Sequence, residues 1–204
     1  MIFIVDDDEY VRRGFSRLLD SAGYEVQSFA SARAFLDRRR EDFRPACLVL
    51  DVQMPELTGL DLQEELRAEG TVLPIVFVSG RGDIPMTVRA IKAGAVDFLT
   101  KPVSDEGFLD AVAQALTRAV HAAAEHSEVS GIRAGAATLT PREREVLEFV
   151  ISGLMNKQIA DALGTAEQTI KVHRGRILKK MGVRSVAELV HNAARIGITP
   201  RRQR

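Results

Sequence analysis

Five short, mostly apolar runs, each followed by an amphipathic stretch, fill residues 2 to 124 and leave few folds open. The runs are Ile2–Val5, Glu25–Phe29, Ala46–Leu50, Ile75–Val78 and Val96–Leu99, and helical periodicity falls at about 9–21, 31–40, 58–69, 84–92 and 105–124. Strands this short, alternating with helices, must bury both faces, which a parallel sheet between two layers of helices does. The expected class is α/β, a doubly wound five-stranded parallel sheet. No G-x-G-x-x-G follows the first run, so the dinucleotide-binding version loses its main mark. Acids stand there instead.

The chemistry collects where the strands end. The first ends in Asp6-Asp7-Asp8, the third in Asp51, the fourth in Ser79 and the fifth in Thr100-Lys101-Pro102. A parallel sheet brings all four ends to one rim. Taken singly, each residue has a plain structural explanation. Asp51 or Asp8 can cap a helix, Lys101 can neutralise Asp7, and Ser79 can start a turn. Taken jointly they are harder to dismiss. Carboxylates held together repel unless a cation joins them, and an oxygen-only set without Cys or His suits Mg²⁺. A lysine and a hydroxyl facing the same point suit a phosphoryl group. An aspartyl-phosphate site is the expectation.

The residues IVDDDE, LVLDVQMPELTGLDL and PIVFVSGRGDIPMTVRAIKAGAVDFLTKP carry a resemblance that covers nearly all of residues 1–124. They resemble the CheY-like receiver domain of two-component response regulators, of flavodoxin-like fold, and the last two blocks most resemble the FixJ subfamily. The resemblance implies Asp51 as phosphoacceptor, with Asp6, Asp7, Asp51 and the backbone carbonyl of Gln53 around Mg²⁺. It implies Ser79 as switch hydroxyl, Phe98 as switch aromatic and Lys101 as the base that pairs with the phosphate. It places a cis peptide before Pro102 and a dimer surface at Val88, Ile91 and Lys92. Packing against the sheet is the other reading of Val88 and Ile91. Phe98 departs from the commoner tyrosine, so no hydroxyl contact is available there.

Net charge is zero, but residues 1–124 hold 14 Lys+Arg against 20 Asp+Glu, and residues 125–204 hold 14 against 8. An acidic half joined to a basic half suggests two domains, the second facing a polyanion. Residues 125–138, EHSEVSGIRAGAAT, read as a hinge that is helical only at its start. The one cysteine, Cys47, excludes an intrachain disulfide and reads as an inert core residue. The opening MIFIVDDDEY lacks a basic leader, and no run approaches the roughly 18 apolar residues of a membrane span. A cytoplasmic protein without membrane contact is expected. Arg38-Arg39-Arg40 ends a helix, where cations suit the dipole.

From residue 139 the strand pattern stops and helix signals take over. Thr140-Pro141-Arg142-Glu143 is a capping box, and Thr165–Gln168 and Ser185–Glu188 read as two more. Glycines at 153, 164, 182 and 197 mark stops, giving four helices at about 141–152, 156–163, 166–181 and 185–195. The second and third are joined by helix-turn-helix spacing. The text LTPREREVLEFVISGLMNKQIADALGTAEQTIKVHRGRILKKMGVRS resembles the LuxR/NarL-type DNA-binding domain. The resemblance implies that Lys171, Val172, His173 and Arg174 enter the major groove, and that Lys157, Thr169 and Arg176 touch phosphates. His173 stays open between base contact and helix packing. Gly175 stands where the family can carry a base-reading cation. Thr199–Arg204 reads as a disordered basic tail that adds non-specific attraction to DNA.

The combined expectation is a phosphorylation-activated transcription factor. It takes its phosphoryl group from a sensor histidine kinase with Mg²⁺, forms a homodimer and binds promoter half-sites in double-stranded DNA. An Asp-nucleophile phosphatase would need a second acid two residues after Asp51, where Gln53 stands, so no enzyme of that kind is expected. A ligand-gated regulator would need an apolar cavity, which the acid-rich rim argues against.

Overall fold

The computed structural model describes residues 1–37, 45–80 and 82–201. The elements run β1 (Ile2–Val5), α1 (Glu9–Ser21), β2 (Val26–Phe29), α2 (Ala32–Leu36), β3 (Cys47–Asp51), α3 (Gly59–Ala68), β4 (Ile75–Ser79), α4 (Ile84–Lys92), β5 (Asp97–Thr100) and α5 (Asp105–Ala137). Four further helices follow: α6 (Pro141–Ile151), α7 (Asn156–Leu163), α8 (Glu167–Lys180) and α9 (Val186–Arg195). The chain divides into two compact units, Met1–Ala124 and Glu125–Arg204.

The first unit is a five-stranded, all-parallel sheet in the order β2-β1-β3-β4-β5. The order reverses between β1 and β3, and the carboxyl ends of strands flanking such a reversal form the crevice where open α/β sheets place ligands. Alternation along the strands builds one core on each face. Phe3, Leu48, Leu50 and Phe77 join Leu62, Leu66 and Ala90 of α3 and α4, and Ile4, Val49 and Val76 join Leu19 and Phe108 of α1 and α5.

Three strands run one residue further forward than the apolar runs suggest. Asp51 pairs with Val78 and Ser79 with Thr100 inside the ladders, because backbone pairing is indifferent to side-chain polarity. Asp51 and Ser79 therefore sit on the last rungs of the sheet, while Asp6 and Lys101 follow directly after their strands. The helix expected at 31–40 is seen as α2, ending at Leu36 with Asp37 as its C-cap. Arg38-Arg39-Arg40 lie outside the described residues.

The expected hinge at 125–138 is a correction. Residues 125–137 continue α5, a single helix of 33 residues, and only Thr138 lies in a turn. The Ala-rich run supplies helix propensity, and Ile132 and Ala136 are buried in the second unit's core, which anchors the segment. Gly135, read from sequence as a sign of flexibility, serves packing. A Cβ there would stand 2.6 Å from the carbonyl oxygen of Lys180, so only glycine allows this approach.

In the second unit Val146, Leu147, Val150, Ile159, Ile170, Ile177 and Leu189 form the core. Thr140 and Glu143 make the expected capping box. The box expected at Thr165 is absent: Ala166 is the N-cap of α8 and makes no side-chain cap bond. The reason is the turn. Gly164 takes a left-handed conformation (φ 61°), and the Thr165 amide is used up on the Ala160 carbonyl, so α8 starts one residue late. Arg201 does not behave as part of a loose tail. Its guanidinium lies 4.9 Å from the Phe149 ring centroid and 3.1 Å from Glu145.

Candidate functional site

Asp51 ends the central strand, 6% exposed, with both carboxylate oxygens engaged. Its Oδ1 accepts from Lys101 Nζ at 2.9 Å and its Oδ2 from the Gln53 amide at 2.6 Å. The same Nζ reaches Asp6 Oδ2 at 2.7 Å, so one lysine from beyond β5 spans the carboxylates that end β1 and β3. Asp6 Oδ1 takes the Asp8 amide at 2.8 Å, and Arg12 donates to the Asp6 carbonyl at 2.7 Å. Asp7 is exposed, and Asp8 caps α1 by accepting from the amides of Tyr10 and Val11. Lys101 thus neutralises Asp6 and Asp51, not Asp7.

Burial raises the Asp51 carboxyl above the usual range, the Asp6 charge adds to the rise, and Lys101 and the Gln53 amide only partly oppose it. Burial alone would lower the Lys101 ammonium, but its bonds to Asp51 and Asp6 outweigh that and raise it. The cluster is therefore short of positive charge. Its oxygens, Asp6, Asp7, Asp51 and the Gln53 carbonyl, are a hard donor set of the kind Mg²⁺ takes. Among the described residues no three carboxylates are already gathered around one point, and Lys101 stands between Asp6 and Asp51.

Ser79 is 1% exposed at the last rung of β4, and its carbonyl accepts the Lys101 amide at 2.8 Å. The Lys101–Pro102 peptide is cis. Phe98 is half-buried in β5, its ring centroid 5.9 Å from that of Phe77. On α4 only Ala90 is buried; Val88 and Ile91 are each 43% exposed and Lys92 is exposed.

In the second unit, α8 turns Ile170 and Ile177 into the core. Lys171, Val172, Gly175 and Arg176 fall on the opposite arc and are exposed, as are Thr169 and, on α7, Lys157. His173 and Arg174 flank the buried stripe. His173 is half-buried, and its Nδ1 is buried without a hydrogen-bond partner. Arg174 donates to Asn156 Oδ1 at 2.9 Å, which fixes its guanidinium against the first turn of α7.

Three residues that position these groups went unread in the sequence. A Cβ on Gly59 would collide with the Asp51 carbonyl oxygen, so α3 can start this close to the end of β3 only with glycine there. A glycine inside the first turn, right after the Thr58 cap, was its signal. Gly82 plays a similar part: its Cβ would stand 2.7 Å from the Phe98 ring. Asn156, next to Lys157, carries no mark in the sequence that sets it apart from an ordinary helix start.

Fold and site together define a class, a receiver-like α/β unit followed by a helix-turn-helix module. The chain matches the family model described as "Response regulator receiver domain" over residues 2–113 and that of "Bacterial regulatory proteins, luxR family" over residues 137–193. It is 46% identical over 199 residues to Nodulation protein W of Bradyrhizobium diazoefficiens, across 98% of this chain and 87% of that protein. It is 41% identical over 197 residues to the transcriptional regulatory protein FixJ of the same organism, across 97% of this chain and 96% of that protein. Among solved structures, the response regulator StyR superposes with a TM-score of 0.83 at 48% identity, across 95% of this chain and 97% of that one. The chain belongs to the response regulators that join a receiver domain to a LuxR-type DNA-binding domain.

Its function is that of a two-component transcription regulator, and its relatives are transcriptional regulators rather than enzymes. The two domains imply a histidine kinase and DNA as partners. The receiver family generally binds Mg²⁺ at its acidic pocket. Among the described residues no helix is long and apolar enough to cross a membrane.

Proposed function

We propose that Asp51 is the phosphoacceptor of a receiver domain spanning residues 1–124 and that its modification drives dimerisation and promoter binding by residues 139–204. The observation that carries this reading is one buried carboxylate at the β1/β3 reversal, bonded by a lysine that a second buried carboxylate shares. An Asp51 oxygen attacks the phosphorus of a phosphohistidine, the P–N bond breaks, and the imidazole leaves as the O–P bond of an acyl phosphate forms. Each Asp51 oxygen accepts one hydrogen bond, from Lys101 or from the Gln53 amide, and keeps a second lone pair for the attack. Asp6, Asp7, Asp51 and the Gln53 carbonyl are the residues that would hold Mg²⁺, which when bound neutralises the transferring oxygens.

The acyl phosphate carries roughly −1.5 to −2 charges where the carboxylate carried −1, a net gain of about half to one negative charge at a buried point. Turning a mostly inactive unit into a mostly active one takes about 5.5 kcal/mol of differential interaction. Charge-assisted hydrogen bonds contribute roughly 1.5–3 kcal/mol each, so new bonds from Ser79 and one loop amide, with a Lys101 bond already present and strengthened by the larger charge, reach that range. Ser79 turning toward the phosphoryl group vacates space beside Phe98, and the α4 face with Val88, Ile91 and Lys92 becomes the dimer contact. In the second unit Lys171 and Val172 read bases, with Val172 against a thymine methyl, while Lys157, Thr169 and Arg176 hold phosphates. Arg174 and His173 reach the groove from the flanks of the helix. Half-sites about 10 bp apart suit a dimer.

Incubation with Mg²⁺ and acetyl phosphate, beside Asp51→Asn, tests the reading on a phosphate-affinity gel with sizing chromatography. A shift of wild type alone together with a larger dimer fraction is expected. A shift without dimerisation retains the acceptor and removes the dimer output; no shift of either protein removes the acceptor.

A further inference from the structure

A cavity of about 410 Å³ opens in the first unit at the amino ends of the strands, the rim opposite Asp51. Its size is that of a small-molecule site. The end of α3, the turn after α4, the start of β4 and the middle of α5 line it as an open groove, and the wall is largely apolar, with Leu66, Pro74 and Ile75 prominent. Two cations border it, Arg67 from α3 and Arg118 from α5, both exposed. Neither side chain has an ion-pair partner among the described residues, in a half of the chain where acids outnumber bases.

Gln63 supplies a second, independent sign. It lines the same cavity, is 4% exposed, and donates from Nε2 to the Ala90 carbonyl at 3.2 Å. That carbonyl can only accept, so the amide cannot be turned over without losing the bond. Its Oε1 is left buried with no hydrogen-bond partner among the described residues. Buried acceptors without a donor are rare, because the group gives up water and gains nothing in return. Because the side chain lines the cavity, an N–H on an occupant is one way to supply the donor that Oε1 lacks.

We propose that this cavity binds a small organic carboxylate with an apolar body and an amide N–H, of the kind an N-acylated amino acid presents. Arg67 and Arg118 take the carboxylate, the Leu66 and Ile75 wall takes the apolar group, and Gln63 Oε1 takes the N–H. Gln63 is bonded to the backbone of α4, so an occupant that moves it acts directly on that helix. The binding itself is independent of phosphorylation at Asp51.

The test is an NMR titration of the ¹⁵N-labelled full chain with three probes. N-acetyl-L-leucine carries every feature, 4-methylpentanoate lacks the N–H, and N-acetyl-L-leucinamide lacks the charge. Saturable shifts at the Gln63 side-chain amide and at Gly94 are expected with the first probe. Loss of the charge should weaken binding about tenfold, and loss of the N–H by a smaller factor of about three to five. Arg67→Gln with Arg118→Gln should remove the preference for the charged probe while leaving acetyl phosphate labelling unchanged. Gln63→Met should abolish the difference between N-acetyl-L-leucine and 4-methylpentanoate; if that variant does not fold, the wild-type ranking of the probes decides. Equal affinity for all three probes, shifts confined to other surfaces, or no effect of the arginine substitutions would each overturn the proposal.

Discussion

Asp51 in the first unit and Glu143 in the second are both carboxylates buried to within a few per cent, and both bond a lysine. Their environments pull in opposite directions. Glu143 accepts from Lys180 at 2.6 Å and from the Thr140 amide at 2.9 Å, no second acid contests its lysine, and its carboxyl is lowered to about 2. The Asp51 carboxyl is raised, chiefly by burial and in smaller part by the Asp6 charge that shares its lysine. A buried charge with partners of its own serves the fold. One that must share them is held ready for a further cation or charge, which marks functional sites more than structural ones.

The largest expected effect breaks the pair at its functional member. Asp51→Asn should abolish labelling by acetyl phosphate and leave the thermal midpoint at or above that of wild type, since a carboxylate with a raised pKa is uncomfortable when ionised. A clear drop in midpoint would make Asp51 a structural acid like Glu143. Next in size is Lys101→Met, which leaves two carboxylates facing each other without their common partner. A loss of about 2–3 kcal/mol in urea unfolding is expected. Adding Asp51→Asn should recover part of it, a coupling that a double-mutant cycle reads directly.

How much of this was legible in the sequence follows the same division. The strand ends Asp6, Asp51, Ser79 and Lys101 could be read because a parallel sheet sends every carboxyl end to one rim, so order along the chain was enough. The pairing pattern was not. Which acid Lys101 neutralises depends on how far a flexible side chain reaches across β1 and β3, and Asp7 was as good a candidate as Asp6. The hinge was misread because glycine and alanine in a polar stretch resemble a linker until Ile132, Gly135 and Ala136 find something to pack against. The outward-facing residues of α8 were legible as a set, but the split between the exposed Lys171, Val172 and Arg176 and the flanking His173 and Arg174 depends on how deeply the arc around Ile170 and Ile177 sinks into the core.

Glu143→Gln sharpens the comparison from the structural side. It removes the charge that holds Lys180 and weakens the capping box, for an expected loss of about 1 kcal/mol in the second unit. The pH dependence has a definite sign. A carboxyl lowered from 4.5 to about 2 adds stability that is fully present above pH 4.5 and is lost as pH falls toward 2. The substitution should therefore flatten the acid side of the stability profile between those limits. Asp51→Asn should not, because a raised carboxyl costs stability when it ionises and gives it back on protonation. Thermal melts from pH 5 down to pH 3 separate the two; equal flattening by both substitutions would end the distinction.

The smallest effect concerns a position where the second unit gives up stability on its own exposed face. Gly175 sits mid-helix in α8 on the arc with Lys171, Val172 and Arg176, and a Cβ there would meet nothing within 4 Å. Alanine is favoured over glycine by about 0.5–1 kcal/mol at such a site, so Gly175→Ala should raise the stability of the second unit by that amount. If the face lies close against DNA, the added methyl should also lower affinity for promoter DNA, and gel-shift titration of the phosphorylated protein would show it. A gain in stability with unchanged affinity would place Gly175 clear of the groove. The contact would then narrow to the start of α8 around Lys171 and Val172, the end nearest the tight turn that sets its register.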